Sequence, residues 1–167
     1  MTNTPSTERE QRIFRVYIRA GIEQVWEAIV DPAWNGRYGY RAATQYDALT
    51  PGSRMRVLAT DEMRSFGAPE VMIEGEVLEA DPPRRLVQTY KMHFDPAQIA
   101  EPFTTVTYEL VADGDLCRLT LVHDVTGAPA HGATIFNDSP IDEGGGGWAW
   151  ILSDLKTLLE SGAVAAS

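Results

Sequence analysis

Apolar and polar residues alternate near the start of the chain, with Phe14, Val16 and Ile18 set against Arg15, Tyr17 and Arg19. A period of two over that length predicts a strand with one buried face. The period then changes: Ile22, Val25, Trp26, Ile29 and Val30 share one helical face, and Asp31–Pro32 ends it, because proline pushes the preceding residue out of helical backbone. A short aromatic, glycine-bearing stretch follows, AWNGRYGY (33–40). Alternation returns over 44–59, 69–94 and 104–125, each split by a turn signal: Pro51–Gly52, Asp81–Pro82–Pro83 and Asp113–Gly114–Asp115. These stretches predict six further strands, and their short connections favour antiparallel neighbours. Near the C-terminus, Trp148, Ile151, Leu152, Leu155, Leu158 and Leu159 recur at three and four, with Ser153, Asp154, Lys156 and Glu160 on the other side. That is an amphipathic helix, with Gly162 placed to cap its end.

Strand, helix, six strands and a long helix make an α+β chain in which one helix covers the apolar face of a sheet. The segments expected are an arm at 1–11, one domain at 12–162 and a tail at 163–167. The 167 residues and 44% hydrophobic content fit one folded domain. No apolar run reaches the roughly 20 residues of a membrane span, and the polar N-terminus does not read as a secretory signal, so the cytoplasm is the expected location. An Arg-rich, Lys-poor composition points to a GC-rich bacterial genome. The net charge of −10 argues against nucleic acid and anionic membrane as partners. Cys117 is the single cysteine and reads as a small buried hydrophobe.

Taken together, these pieces resemble a known family. VWEAIVDP (25–32), PGSRMRV (51–57), LVQTYKM (86–92), TTVTYEL (104–110), CRLTLVHDV (117–125) and GGWAWILSDLKTLLESG (146–162) are similar, in order and spacing, to the homologues of the activator of the Hsp90 ATPase. These are SRPBCC proteins of the START/birch-pollen-allergen superfamily. The resemblance implies a helix-grip fold: a curved seven-stranded antiparallel sheet wrapped around the long C-terminal helix, with short helices after the first strand. It implies no universal catalytic set. Members bind small hydrophobic ligands, confer resistance by sequestration or act as cochaperones, and wider relatives are polyketide cyclases and aromatases. The chain departs from the pattern at Tyr38, Tyr40 and Tyr90, where tryptophan is usual, and in the longer polar segment 126–147.

The glycines at 144–147 lack the Lys and Ser/Thr of a phosphate loop, and Asp142 and Glu143 before them would repel phosphate. They read instead as a flexible helix start or as a place where something approaches the backbone closely, with Gly147 at the cavity end. His123 shares strand parity with Leu119 and Leu121 and points inward, as a core histidine bonded to a neighbouring hydroxyl, as a polar anchor or as an acid–base group. His93 has the opposite parity to Tyr90 and Met92. No histidine spacing suggests a metal site, and no nucleophile elbow is present. Tyr90, Tyr108 and Tyr46 have inward or near-inward parity, and buried hydroxyls need partners. The expected site is a pocket between sheet and helix. Trp26, Tyr46, Met55, Val57, Tyr90, Met92, Tyr108 and His123 lie on one side, and Gly147, Trp148, Leu152 and Leu155 on the other. It would bind a hydrophobic, aromatic small molecule. The alternatives are a cyclase-like enzyme using the same pocket and a chaperone-activator-like interaction module. No cofactor or metal is expected, and the assembly is a monomer or weak homodimer.

Overall fold

The computed structural model describes residues 10–135, 139–143 and 145–161. The arm at 1–9, the Gly162 cap and the tail therefore lie outside the described residues. The sheet begins slightly earlier than the alternation suggests. β1 spans Gln11–Ile18, Gln11 pairs with Asp124, and the Val125 N–H donates to the Glu10 carbonyl.

Two helices follow, α1 (Ile22–Val30) and α2 (Pro32–Asn35). Asp31 both ends the first and caps the second, its Oδ1 accepting from the Ala33 N–H at 2.9 Å. The remaining strands are β2 (Thr44–Tyr46), β3 (Arg54–Leu58), β4 (Val71–Asp81), β5 (Arg85–Met92), β6 (Thr104–Asp113) and β7 (Leu116–Asp124). They form one seven-stranded antiparallel sheet in the order β1-β7-β6-β5-β4-β3-β2. The chain thus closes its last strand onto its first. The three turns read from Pro51–Gly52, Asp81–Pro82–Pro83 and Asp113–Gly114–Asp115 are the three hairpins.

Two irregularities in β4 bend the sheet. Against β3, the register moves between Val57 and Leu58, leaving Met72 as an extra residue. Against β5, it moves between Val77 and Glu79, leaving Leu78 extra. A bulge sharpens local twist and re-aims side chains, which is why the consecutive residues Met72 and Ile73 both turn inward and are buried. Gly75 lies between the bulges. A Cβ there would sit 1.9 Å from the Thr89 carbonyl oxygen, so only glycine lets the strands come this close.

Three short helices interrupt the predicted strand-only middle and the polar C-terminal segment: α3 (Asp61–Ser65), α4 (Pro96–Ala100) and α5 (Pro129–Ile135). Thr60 and Asp95 cap the first two, accepting from the N–H groups of Met63 and Gln98. The segment expected as a polar loop thus holds a helix and a single 3-10 turn at Ile141–Glu143. Glu101 anchors α5 from outside, its carboxylate accepting from the N–H groups of Ala130 (2.7 Å) and His131 (2.9 Å).

The closing helix, α6 (Gly147–Ser161), crosses the concave face and buries Trp148, Leu152, Leu155 and Leu158. Its far end is tied to β1 and the turn after it: Lys156 Nζ donates to the Tyr17 carbonyl (2.9 Å), and the Arg19 N–H donates to Glu160 (2.8 Å). Asp154 departs from the helical-wheel reading. It is buried at 2% exposure rather than solvated, and accepts from the Gly39 N–H at 2.9 Å. It thereby pins the 36–43 loop to α6.

Candidate functional site

Sheet curvature leaves a cavity of about 270 Å³ between the concave face and the start of α6. From the sheet, Thr44, Tyr46, Met55, Val57, Met72, Ile73, Gln88, Tyr90, Met92 and Tyr108 face it. α6 contributes Gly147, Trp148 and Ile151, and α1 contributes Ile29. Asn35, Tyr38, Tyr40, Ala42, Met63, Phe94, Thr134 and Ile135, from the connecting segments and short helices, complete the wall. Among the described residues, no carboxylate, histidine, lysine, arginine or cysteine lines the wall.

Of the residues proposed from sequence, Tyr46, Met55, Val57, Tyr90, Met92, Tyr108, Gly147 and Trp148 are brought together on this wall. Trp26, His123, Leu152 and Leu155 are not. Trp26 is buried on α1, where the next turn, Ile29, reaches the cavity instead. On α6 the wall falls along Trp148 and Ile151, while Leu152 and Leu155 are turned into the core.

His123 is fully buried behind the wall, and both ring nitrogens are committed. The Trp148 indole N–H donates to Nδ1 at 3.0 Å. The proton is therefore on Nε2, which donates to Thr104 Oγ1 at 2.8 Å, and that hydroxyl donates to the Tyr90 carbonyl at 2.7 Å. Burial pushes the imidazole pKa down to about 3, so it is neutral at ordinary pH. The ring also packs edge-on to Tyr90 (centroids 5.1 Å) and Trp148 (6.1 Å). Its place is that of a core histidine bonded to a hydroxyl. It holds two wall aromatics and reaches no ligand.

A second buried histidine, His131, plays a matching part. Met92 N–H donates to its Nε2 at 2.9 Å, so Nδ1 carries the proton and donates to Glu101 at 2.7 Å. Burial raises the Glu101 pKa, but hydrogen bonds from His131 and from the Ala130 and His131 N–H groups outweigh it and hold it below the usual carboxylate range. This pair fixes α5, and with it Thr134 and Ile135, against β5. His93 points away, with Nε2 3.3 Å from Glu74. Cys117 is buried in the core, where desolvation raises its thiol pKa.

Five of the six tyrosines line the cavity. Three have hydroxyls engaged by the protein. Tyr38 donates to the Ala28 carbonyl (2.9 Å) and Tyr46 to Gln88 Oε1 (2.7 Å). Tyr40 donates to the Gly145 carbonyl (2.6 Å) and accepts from the Gly147 N–H (2.9 Å), stapling the start of α6. The hydroxyls of Tyr90 and Tyr108 have no hydrogen-bond partner among the described residues. Burial raises both pKa values, so both remain proton-bearing donors. Their rings flank Trp148, at 5.8 and 6.3 Å between centroids.

The glycines before α6 are explained by backbone. Gly146 and Gly147 have φ of +92° and +54°, a region L-residues avoid. A Cβ on Gly145 would meet the Ser139 carbonyl at 1.6 Å, and one on Gly147 the Ile135 carbonyl at 2.9 Å. The close approach is made by the carbonyls of Ile135 and Ser139. Gly144 lies outside the described residues.

Sequence reading missed Gln88, Tyr38, Tyr40 and Ile151. Gln88 carried a signal, since it shares parity with Leu86 and Tyr90 and sits opposite Val106. Tyr38 and Tyr40 lie in irregular chain, where no periodicity applies. Among the described residues, no group of three or more His, Cys, Asp or Glu could hold a metal ion. No helix among them is long and apolar enough to cross a membrane.

The family model described as activator of Hsp90 ATPase homolog 1-like protein matches residues 19–160. The comparison with curated proteins finds no match. Among solved structures, the protein encoded by gene BPP1335 from Bordetella parapertussis is 22% identical, with a TM-score of 0.66 over 93% of this chain and 78% of that one. CalU16 from Micromonospora echinospora, in its crystal structure, is 24% identical with a TM-score of 0.55, over 73% of this chain and 64% of that one. The Aha1 dimer from Colwellia psychrerythraea is 16% identical with a TM-score of 0.59, over 92% and 98%. At these identities the likeness concerns the fold.

Proposed function

The chain belongs to the activator of Hsp90 ATPase homolog 1-like family, and within it we propose that this protein binds a small hydrophobic, aromatic molecule in the cavity between the curved sheet and α6. The observation that carries the reading is the wall itself. It is built from Met, Ile, Val, Trp and Tyr side chains with no ionisable group of ordinary pKa, around about 270 Å³. An apolar cavity with a few polar points is the usual make-up of a small-molecule site, and this volume, just under the usual range of roughly 300–1,000 Å³, suits a small ligand. Burial of the ligand's apolar surface supplies the driving force, and sequestration is sufficient as an outcome.

Calorimetric titration with tetralin, an aromatic hydrocarbon of two fused rings, tests this. The wild-type chain is expected to bind it, and Ile151→Trp, which fills the cavity from α6, to lose binding while still unfolding cooperatively. Equal binding by both proteins would refute the site. Native mass spectrometry of freshly purified protein, compared with the denatured sample, would then identify the class of any retained ligand.

A cyclase-like reading would need a proton-moving group at the wall. His123 does not serve, being outside the cavity and locked by two hydrogen bonds. An interaction-module reading draws on one observation: Phe94, Ile99 and Phe103 are each about half exposed around α4, with Lys91 Nζ 4.5 Å above the Phe103 ring and bonded to the Ile99 carbonyl. Stimulation of an Hsp90 ATPase by the purified chain, lost in Phe103→Ser, would support it.

A further inference from the structure

We propose that the ligand is a neutral molecule bearing a hydrogen-bond acceptor, a carbonyl or quinone oxygen, received by Tyr90, Tyr108 and the side-chain amide of Gln88; this rests on the cavity being a binding site. Three donors face the cavity without a protein acceptor. Gln88 is 1% exposed, and its Oε1 is taken by the Tyr46 hydroxyl. In this arrangement Nε2 has no hydrogen-bond partner among the described residues. The hydroxyls of Tyr90 and Tyr108 are in the same condition, and Tyr90 is 8% exposed.

Topology brings the three together. Gln88 and Tyr90 are successive inward positions of β5, so their Cα atoms are roughly 7 Å apart. Tyr108 is opposite Leu86 on β6, diagonal to Gln88. Trp148 packs against both tyrosine rings and supplies a flat apolar surface beside them.

Two other polar wall side chains, Asn35 and Thr134, are already engaged by the protein. Asn35 bonds the Ile29 and Thr44 carbonyls and the Thr44 N–H. Thr134 donates to the Ala130 carbonyl and accepts from Gln98. Among the described residues the cavity therefore offers unpaired donors and no charged side chain. A ligand entering it displaces water from these groups and must replace that water with its own acceptor, or leave buried donors unpaired. A carboxylate or ammonium would be buried without a counter-charge, which is strongly unfavourable.

The test is a matched series at pH 7.5 read by calorimetry: tetralin, 1-tetralone and tetralin-1-carboxylate. Wild type is expected to bind 1-tetralone at least about tenfold tighter than tetralin, the scale of one to two net hydrogen bonds, and the carboxylate more weakly than either. Tyr90→Phe and Tyr108→Phe are each expected to lower the tetralone-to-tetralin affinity ratio about three- to tenfold. A merely structural role for these groups would move both ligands together. If tetralin binds but tetralone binds no better, or the carboxylate binds best, the acceptor inference is overturned and the cavity reading survives. If none of the three binds, both fall.

Discussion

Replacing Thr104 with valine changes almost nothing in shape and removes one oxygen from the centre of the His123 relay. In the native chain that oxygen accepts from His123 Nε2 and donates to the Tyr90 carbonyl. Thr104 is 2% exposed and His123 fully buried, so water cannot substitute freely. The variant leaves a buried N–H without an acceptor, which costs roughly 1–3 kcal/mol. The Tyr90 carbonyl also loses a side-chain donor, so the expected destabilisation is about 2–3 kcal/mol. At about 2–4 °C per kcal/mol for a chain of this size, the melting temperature falls by roughly 4–12 °C. Thr104→Ser keeps the hydroxyl and loses one methyl, worth about 0.8 kcal/mol. The assay is urea unfolding of both variants, with the slope m checked to be constant. The double variant Thr104→Val/His123→Leu provides the decisive comparison. Removing both partners removes the orphaned Nε2–H and leaves the Trp148 indole N–H unpaired, as His123→Leu alone does, so the cost should be well below the sum of the two single costs. If Thr104→Val is no worse than Thr104→Ser, or if the two sites are additive, the relay does not hold the wall and His123 needs another account.

Acid should weaken the fold through the same group. Because the His123 pKa is lowered from about 6.5 to about 3, the unfolded chain takes up a proton in that window while the folded chain does not. Stability is thus lost as pH falls from about 6.5 toward 3, at up to about 1.4 kcal/mol per pH unit; unfolding of His123→Leu across this range should show a shallower slope. Glu101, whose folded pKa is lowered, adds stability that is present above its unfolded value and lost as pH falls through the folded one. Glu101→Gln puts an amide NH₂ where one carboxylate oxygen accepted, so amide hydrogen exchange at Ala130, His131 and Met92 should accelerate; unchanged protection there would contradict an anchored α5. Gly147→Ala should cost about 2–4 kcal/mol, combining the left-handed penalty of roughly 1–2 kcal/mol with crowding against the Ile135 carbonyl. Thermal unfolding measures it, and a loss under about 1 kcal/mol would mean that the Ile135 carbonyl simply moves aside.

Periodicity carried the sheet because each strand buries one face. Phe14, Val16 and Ile18 on β1, and Leu119, Leu121 and His123 on β7, alternate cleanly, and the turn residues between hairpins sit where the sequence puts them. It did not carry α3, α4 and α5, helices of five to seven residues that are too short to show a repeat. Their stability comes from capping and from distant groups: Thr60 and Asp95 at two of them, Glu101 at the third. Of these, only the local caps could have been read from neighbouring sequence. Asp154 shows the converse error. On a helical wheel it belongs with Ser153 and Lys156, yet the loop carrying Gly39 covers it and supplies a donor. That loop is irregular chain, and no pattern in the sequence brings it there.

The site divides along the same line. Wall residues on strands, such as Met55, Tyr90 and Tyr108, follow from parity, because alternation determines which face a side chain takes. Parity alone does not separate a cavity wall from packed core. Val106 and His123 share the inward face with Tyr90 but are wholly buried in the core, whereas β3 and the bulged part of β4 line the cavity. The space exists because β4 carries an extra residue at Met72 and another at Leu78, with Gly75 between them. Straightening the β4–β5 pair by deleting Leu78 would shift the register of the following residues by one and turn Ala80 from its present face, so the bulge and the cavity should be lost together. Which hydroxyls remain unpartnered is a still finer matter. Tyr38, Tyr40 and Tyr46 find acceptors on a helix end, a glycine turn and β5, three places along the sheet from β2, while the hydroxyls of Tyr90 and Tyr108 find none among the described residues. The groups available to a ligand are thus set by which inward side chains of β5 and β6 face the open space and not a neighbouring segment.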